Sequence, residues 1–265
     1  MPIVTLLSDF GAKDSYVAQM RGVILDNCLN CQVVDITHEV QRHNILMGSF
    51  LLETAVPYFP KGTVHVAVVD PGVGSERLPI VIICKHAILV GPDNGLLIRA
   101  ARKLGFVAAY RIQRPEFRRA SVSSTFHGRD IFAVAAGKLV AGLKPESVGP
   151  RVSRLVELNV PGARWERGAL KCRVMHVDIF GNVITNAAND SLVKLGARLG
   201  QGLIVRGGIG SFQGRLVKAY GEVNRGELAV LKGSQGYVEV AVREESAAAL
   251  LEVEPLDELE IRLFR

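Results

Sequence analysis

The chain has 265 residues, 48% hydrophobic and 22% charged, with a formal net charge of +6. This composition is ordinary for a soluble protein, and the length allows one large domain or two moderate ones. No apolar run approaches the roughly 20 residues of a membrane span, and no positive region precedes the first apolar stretch. We therefore expect no membrane span, no signal peptide and a cytoplasmic protein.

The positive charge is concentrated in one segment. Residues 99–119 carry seven basic side chains and one acidic side chain, Glu116, while the rest of the chain is balanced. A protein that binds nucleic acid usually shows a wider basic stripe or a known motif. We expect no nucleic-acid partner and interpret the segment as a solvated or subunit-facing surface.

The cysteines do not indicate a metal site. Cys28 and Cys31 form a lone C-x-x-C pair, whereas Cys84 and Cys172 are isolated. A zinc site needs two further ligands at a suitable spacing, and no second Cys or His pair supplies them. We predict free thiols and no bound metal.

Residues 1 to about 142 alternate between strand and helix patterns. Helical spacing of apolar residues predicts helices that begin at the candidate N-caps Asp14, Asn44 and Asp130, and one that runs through Arg102. Apolar runs predict strands at residues 3–7, 33–36, 64–69, 79–84, 87–90 and 108–112. Such alternation is typical of layered folds, so we predict an α/β N-terminal domain, residues 1–150, with a largely parallel central sheet.

The pattern changes in the second half. Residues 151–168 carry scattered charge and the only tryptophan, Trp165, and are interpreted as a linker. Glycines then separate predicted strands at residues 171–177, 202–205, 228–231, 237–242 and 259–263, with short helices at 191–195 and 246–251. We predict a smaller antiparallel β C-terminal domain, residues 169–265. Gly207-Gly208-Ile209-Gly210 is interpreted as a hairpin turn.

The segment from Asp70 to Arg77 is the first candidate site. Asp70 ends a buried apolar run, and a loop containing Pro71, Gly72 and Gly74 leads to Arg77. A strand-end carboxylate, a loop with little side-chain bulk and a nearby arginine suit a small polar ligand, and ligands of open α/β sheets bind at the carboxyl ends of strands. An ordinary turn with an exposed ion pair is the alternative.

Asp9 ends the first strand in the same way. Such an acid binds ribose hydroxyls in nucleotide-type folds. A hard-metal cluster with Asp70, Asp93 and Asp130 is the alternative, although their spacing carries no metal signature.

His127 precedes a predicted helix. The positive end of the helix dipole disfavours a protonated imidazole, and a neutral ring can hold a water or accept its proton. A histidine without chemistry, in the capping region of the helix, is the alternative.

Several other polar segments have an ordinary structural interpretation on their own. Gly72-Val73-Gly74 lacks the Lys-Ser/Thr of a P-loop and the third glycine of the dinucleotide fingerprint. The segment from Asp178 to Asn182 is either a tight turn or a polar clamp, Ser234 lies in a turn before Glu239, and Tyr220 is interpreted as a core residue on a short strand.

Taken together, these motifs resemble those of the S-adenosyl-L-methionine (SAM) hydrolases, or SAM hydroxide adenosyltransferases, which are relatives of the SAM-dependent fluorinases and chlorinases. The resemblance spans nearly the whole chain. The motifs that carry it are Leu7-Ser8-Asp9-Phe10-Gly11, Asp70-Pro71-Gly72-Val73-Gly74 with Arg77, Pro92-Asp93-Asn94-Gly95, Phe126-His127-Gly128-Arg129-Asp130, Asp178 with Phe180-Gly181-Asn182, and Ser234-x-Gly236.

The resemblance implies an α/β domain followed by a β domain, as the patterns predict. It also implies a homotrimer in which SAM binds between the N-domain of one subunit and the C-domain of the next. SAM would be the substrate, and no cofactor is implied.

The resemblance assigns roles to ten residues. Asp70, Arg77 and His127 match the catalytic set, and Asp9 matches the ribose-binding acid. The other matches concern substrate binding: Asp178 and Asn182 near the methionine portion, Tyr220 against adenine, Ser234 at a methionine-binding turn, and, as weaker matches, Glu239 and the backbone near Val242.

The implied reaction is hydrolysis of SAM to adenosine and L-methionine. Water or hydroxide would attack the ribose 5′ carbon in line with the C–S bond, with Arg77 stabilising a hydroxide-like oxygen, His127 holding the water or taking its proton, and Asp70 orienting Arg77 or the ribose. The halogenating relatives have a hydroxyl-rich pocket where this chain has His127-Gly128, which argues against halogenation. A SAM-dependent halogenase and a non-catalytic SAM- or adenosine-binding protein are the alternatives.

Overall fold

The computed structural model describes residues 1–208 and 210–264, and the chain divides into two compact units, Met1–Leu158 and Asn159–Arg265. Ile209 of the predicted hairpin turn lies outside the described residues. None of the described helices is long and apolar enough to cross a membrane. The four cysteines are free thiols.

Unit 1 is built from six strands and four α-helices. The third strand is rich in β-branched residues, as a buried strand should be, and all of its residues are buried, including Thr63 and His65,. The elements are β1 (Ile3–Ser8), α1 (Tyr16–Asn27), β2 (Gln32–Thr37), α2 (Ile45–Ala55), β3 (Thr63–Val68), β4 (Pro79–Cys84), β5 (Ala87–Pro92), α3 (Ile98–Lys103), β6 (Phe106–Arg111), a π-helical turn (Gly128–Ala133) and α4 (Val134–Val140).

The six strands form one sheet in the order β2-β1-β3-β5-β4-β6. β1, β2, β3 and β5 run parallel, whereas β4 pairs antiparallel with β5 and β6. The sheet is therefore mixed, with a parallel half that carries the ends of β1 and β3. Hydrophobic clusters cover both faces, one with residues of α1 and α4 and the other with residues of α2 and α3.

Two of the three predicted helix caps are wrong. The Asn44 side chain accepts a hydrogen bond from the Met47 N–H at 2.9 Å and caps α2 as predicted. Ser15, not Asp14, occupies the N-cap of α1 and makes no side-chain cap. Asp130 lies inside the π-helical turn with its side chain buried, because two arginines and a backbone N–H bind it there.

Unit 2 is an eight-stranded sheet with two short helices. β14 pairs with both β10 and β8, so that seven of the strands close into a barrel-like sheet around an apolar core. The elements are β7 (Arg164–Glu166), β8 (Ala169–Val177), β9 (Val183–Ala188), α5 (Asp190–Lys194), β10 (Gly202–Gly207), β11 (Gly210–Leu216), β12 (Leu228–Lys232), β13 (Tyr237–Val242), α6 (Ala247–Leu251) and β14 (Glu258–Leu263).

The unit-2 sheet is not antiparallel throughout. β10 and β11 form an antiparallel hairpin in which Gly207 faces Gly210, but β11 and β12 run parallel. The parallel pair is possible because residues 217–227, which include the 3-10 turn Tyr220–Glu222, cross from the end of β11 back to the start of β12.

Candidate active site

The candidate site of unit 1 lies where the strand order reverses. The chain passes from β1 outwards to β2 and returns to β3 on the other side of β1. Ligands of open α/β sheets bind at such a switch point, outside the carboxyl ends of the strands. Asp9 follows β1 and Asp70 follows β3, and both line one cavity of about 330 Å³.

The walls of this cavity combine acids, aromatic rings and two histidines. Phe10, Tyr16 and Phe126 form a cluster with ring centroids 5.2–5.8 Å apart. Carboxylates and ring faces both favour a cationic ligand. The other lining residues are Asp9, Asp14, Arg42, His43, Val68, Asp70, Val73, Thr125, His127 and Gly128.

Asp70 and Arg77 form a buried, multiply bonded ion pair. Arg77 Nε donates to both carboxylate oxygens of Asp70 at 3.0 Å, and Nη2 donates to Oδ2. The Asp70 and Arg77 side chains are only 5% and 9% exposed. The exposed ion pair that was the alternative interpretation is therefore excluded.

The same arginine fixes the proton of His127. Arg77 Nη2 lies 2.8 Å from His127 Nδ1. Arginine has donors and no acceptor, so Nδ1 must accept and the neutral ring carries its proton on Nε2. In this tautomer Nε2 can donate to an oxygen but cannot accept a proton from it. The geometry favours the water-holding role over the proton-accepting role.

The surroundings of His127 keep its ring neutral. Burial is the main cause that lowers its pKa below the usual 6.5, and the Arg77 guanidinium lowers it further, against the opposing charges of Asp70 and Asp130. A protonated ring would place an N–H against the Arg77 donor, which this geometry disfavours.

One nitrogen of Arg77 is buried without a partner. Nη1 has no hydrogen-bond partner among the described residues, although the side chain is 9% exposed and its carbon Cζ lies 5.2 Å from the centre of the Phe132 ring. Leaving a buried charged donor unpaired is costly, and such an atom in a folded protein calls for a ligand or water.

A glycine brings the two loops of the site together. Gly74 has φ +78°, and a Cβ at this position would lie 2.6 Å from the Ser124 carbonyl oxygen. Only glycine therefore lets the Asp70–Arg77 loop pack against the segment that leads into His127.

Asp93 and Asp130, the other two acids of the metal-cluster alternative, are bound by protein groups. Asp93 is buried, and its Oδ1 accepts from the Val156 N–H at 2.9 Å. Asp130 is bound by Arg129 and the Ser123 N–H. Within the described residues, no group of His, Cys, Asp and Glu could hold a metal ion.

In unit 2, Asp178 and Asn182 form a tight turn, which was one of the two alternatives, and the hydrogen bonds of the Asp178 carboxylate stay within it. Asp178 Oδ1 accepts from the Phe180 and Asn182 N–H groups, and Oδ2 accepts from the Asn182 side chain, all at 2.9 Å. Both residues line a cavity of about 730 Å³ together with Phe180, Tyr220, Val242, Arg243, Glu244, Glu245 and Ser246.

Tyr220 is not a core residue on a strand. It begins the 3-10 turn Tyr220–Glu222 and is 46% exposed. Its hydroxyl donates to Glu239 Oε1 at 2.5 Å, which fixes the ring at the cavity wall. Burial raises the pKa of Glu239, and the nearby Asp178 raises it further, against the Tyr220 hydrogen bond. Glu239 does not line the cavity itself but holds the hydroxyl of Tyr220, which does.

The structure leaves Ser234 out of this cavity. It is exposed in the turn between β12 and β13, beside Gly233, where a Cβ would lie 3.0 Å from Glu239 Oε2. The sequence-based site also omitted cavity residues, above all Phe180, which is 71% exposed. The signal available in the sequence was an aromatic residue within a short polar segment, between Asp178 and Gly181.

Comparison with known proteins gives matches over both units. The SAM hydroxide adenosyltransferase N-terminal domain model matches residues 4–149, and the corresponding C-terminal domain model matches residues 172–260. The (R)-S-adenosyl-L-methionine hydrolase of Salinispora tropica is 41% identical, covering 98% of this chain and 97% of that protein. That of Methanocaldococcus jannaschii is 37% identical, covering 98% and 96%.

Solved structures and more distant relatives agree with these matches. An uncharacterized conserved protein from Thermotoga maritima superposes with a TM-score of 0.94 at 38% identity, covering 98% of this chain and 99% of that chain. Fluorinases match at 25–28% identity.

Proposed function

The chain belongs to the SAM hydroxide adenosyltransferase family, and from that premise we propose that it hydrolyses S-adenosyl-L-methionine to adenosine and L-methionine. The relatives at 41% and 37% identity bear the name of (R)-S-adenosyl-L-methionine hydrolase. We extend their substrate, including the (R) configuration at sulfur, to this chain.

One observation carries the proposal. Arg77 is buried, charged and bonded to Asp70 and His127, yet its Nη1 has no partner among the described residues. This guanidinium contacts the ring of His127, which lines the cavity, and in the proposal the guanidinium and the His127 Nε2–H are two donor groups for an oxygen with negative charge. Hydroxide is such an oxygen, and donors fixed before the reaction stabilise it most effectively.

The proposed reaction balances with one water. The water oxygen forms a bond to the ribose 5′ carbon while the C–S bond breaks and its electron pair returns to sulfur. The sulfonium becomes the neutral thioether of methionine, the oxygen becomes the adenosine 5′-hydroxyl, and one proton leaves for the solvent. Free water has a pKa of about 15.7, so the two donors must stabilise the hydroxide.

The cavity residues have complementary roles in this proposal. Asp70 holds Arg77 in place, and Asp9 accepts hydrogen bonds from the ribose hydroxyls. The acids and the Phe10, Tyr16 and Phe126 rings favour the sulfonium cation over the neutral products,. In-line positioning in the cavity lowers the barrier further.

For unit 2 we propose a substrate-binding role. Tyr220 stacks on adenine with Glu239 behind it, while Asp178, Asn182 and the backbone near Val242 bind the rest of the substrate. Ser234, which lies outside the unit-2 cavity, is given no contact in the proposal. The family resemblance supports a homotrimer in which these residues come from a neighbouring subunit. The proposed enzyme needs no cofactor and acts in the cytoplasm, without a nucleic-acid or membrane partner.

Isotope labelling tests the reaction. Purified protein is incubated with SAM in ¹⁸O-water, and we expect one ¹⁸O in the adenosine 5′-hydroxyl, none in methionine and one proton released per turnover. An Arg77→Lys variant is the control for contaminating activity. Adenosine no more abundant than in this control contradicts the proposal. When both sulfur epimers are supplied, the (R) form should disappear first.

The same incubation distinguishes the alternatives. A halogenase would give a 5′-halo-adenosine when chloride or fluoride is present. A non-catalytic binding protein would bind SAM in calorimetry and give no product. Sedimentation of the purified protein tests the homotrimer independently of activity.

A further inference from the structure

The hydroxyl of Ser8, at the end of β1, connects two loops beside the unit-1 cavity. Ser8 is 1% exposed, and its Oγ lies 2.7 Å from His38 Nδ1. The same Oγ accepts from the Phe10 N–H at 3.3 Å. In the chain, Asp9 lies between Ser8 and Phe10.

His38 extends the connection to the surface. Its Nε2 lies 3.2 Å from Asp35 Oδ1, and Asp35 pairs with the half-exposed Arg21 of α1. Burial lowers the pKa of His38, and Arg21 lowers it further, against Glu39. The Asp35 carboxylate beside Nε2 favours the tautomer that carries its proton there, in which Nδ1 accepts the Ser8 O–H, although Nε2 makes no hydrogen bond among the described residues,.

Ser8, His38 and Asp35 are the residue types of a serine-hydrolase triad, but Ser8 cannot act as a nucleophile here. Its hydroxyl is buried, and Ser8 does not line the cavity, whereas Asp9 and Phe10 do. A nucleophile must reach the substrate. The arrangement is therefore suited to holding a loop.

Backbone hydrogen bonds join the same two loops. The Gly11 N–H donates to the His38 carbonyl at 2.8 Å, and the Val40 N–H donates to the Ser8 carbonyl at 3.3 Å. Further along the second loop, the His43 N–H donates to Asp9 Oδ2 at 2.9 Å. The loop that carries His38 thus holds the Asp9 carboxylate directly.

We infer that Ser8 and His38 are positioning residues, which orient the Asp9 carboxylate so that it binds the two hydroxyls of a ribose. This inference rests on the proposed nucleoside substrate and on the ribose-binding role of Asp9. It extends the site to residues that never touch the ligand. The energy involved is that of about one hydrogen bond, which corresponds to roughly a five- to tenfold change in affinity.

The chain provides a matched control. Thr5 Oγ1 lies 2.8 Å from Nδ1 of the buried His65, so the same kind of hydrogen bond joins β1 to β3 within the sheet, away from the cavity. The test compares Ser8→Ala and His38→Leu with Thr5→Val. His38→Asn is the rescue variant, because the asparagine oxygen can occupy the position of Nδ1 and accept the Ser8 hydroxyl.

The measurement is calorimetric binding of adenosine and of 2′,3′-dideoxyadenosine, which lacks both ribose hydroxyls. We expect Ser8→Ala and His38→Leu to weaken adenosine binding roughly five- to tenfold and to leave dideoxyadenosine binding unchanged. His38→Asn and Thr5→Val should bind both nucleosides as the wild type does.

Two results overturn the inference. One is unchanged adenosine binding in Ser8→Ala and His38→Leu, and the other is an equal loss for both nucleosides, which indicates general disruption. The proposed hydrolysis is assessed separately, by adenosine formation from SAM in the wild type. A selective loss in a protein without turnover would refute the hydrolysis and leave the positioning role intact.

Discussion

Two carboxylate–arginine pairs of unit 1, whose carboxylates are 5% and 0% exposed, differ in one hydrogen bond. Asp70 with Arg77 and Asp130 with Arg129 both place the guanidinium about 5 Å from a phenylalanine ring. All three guanidinium nitrogens of Arg129 are bonded, Nε and Nη2 to Asp130 and Nη1 to Gln19 at 2.8 Å. In Arg77 only Nε and Nη2 are bonded within the described residues.

The difference agrees with a structural role for the Asp130 pair and with the catalytic role that we propose for the Asp70 pair. Burial alone would raise the pKa of Asp130, but hydrogen bonds from Arg129 and the Ser123 N–H, with the charge of Arg119, outweigh it and lower the pKa. Every guanidinium nitrogen of Arg129 already has a protein partner. Arg77 Nη1 has no partner among the described residues, and Nη2 contacts His127, which lines the cavity, so we propose that this pair acts on the reacting oxygen,.

Replacing each of the two arginines with lysine should give the largest difference in kcat. Lysine keeps the charge opposite the carboxylate and loses the planar fork. Arg77→Lys should lower kcat by about 100-fold or more, as removal of an oxyanion donor does, whereas Arg129→Lys should stay within about threefold of the wild type. Steady-state kinetics with SAM measure both. Similar losses in the two variants would refute the distinction.

Removing the negative charge of Asp130, the partner of Arg129, should lower the stability of unit 1. Asp130→Asn leaves Arg129 without its charge partner, and we expect unit 1 to lose about 3 kcal/mol of unfolding free energy. Denaturant unfolding measures the change. The exposed Asp190–Lys194 pair is the control, and Asp190→Asn should cost less than about 0.5 kcal/mol,. Equal losses would show that burial of the carboxylate is unimportant.

The pH dependence of activity sharpens the role of His127. Its pKa is lowered, so the ring stays neutral down to a pH below 6.5. kcat/KM should be flat above that pH and fall up to about tenfold per pH unit once the ring is protonated and can no longer accept from Arg77. In His127→Asn, whose oxygen can accept without titrating, this acid limb should vanish. An unchanged limb would assign the titration to another group.

The Tyr220–Glu239 hydrogen bond should give the smallest effect, because Tyr220 is half exposed. Tyr220→Phe keeps the ring and removes the hydroxyl. We expect KM for SAM to rise about three- to fivefold with kcat unchanged, which corresponds to roughly 1 kcal/mol. A fall in kcat instead would place Tyr220 at the reacting atoms, contrary to the proposal.

Local sequence patterns predicted those features of the fold and the site that depend on residues close together in the chain. Asp9 and Asp70 could be placed at one sheet edge because each follows a buried strand, and Asn44 could be recognised as a cap. The family resemblance added the grouping of Arg77 and His127. Tyr220 was wrongly placed on a strand, because its position depends on a hydroxyl contact with Glu239, 19 residues away.

Other features depend on contacts that no local pattern reveals. The parallel pairing of β11 with β12 depends on the path of residues 217–227 across the end of the sheet. The burial of Asp130 requires Arg119, Ser123 and Arg129 together. The contact between Ser8 and His38 joins residues 30 positions apart and became visible only once the two loops were folded.

The π-helical turn Gly128–Ala133 has a consequence for how chain length can vary here. This π-helical turn is wider than an α-helical turn and continues directly into α4. It therefore contains one more residue than α-helix would over the same stretch,. Deleting a single residue should convert it to α-helix and leave the flanking residues close to their present orientation about the helix axis. This turn can therefore take up a one-residue change in chain length, and homologues with a one-residue deletion here should keep the Arg77–His127 contact.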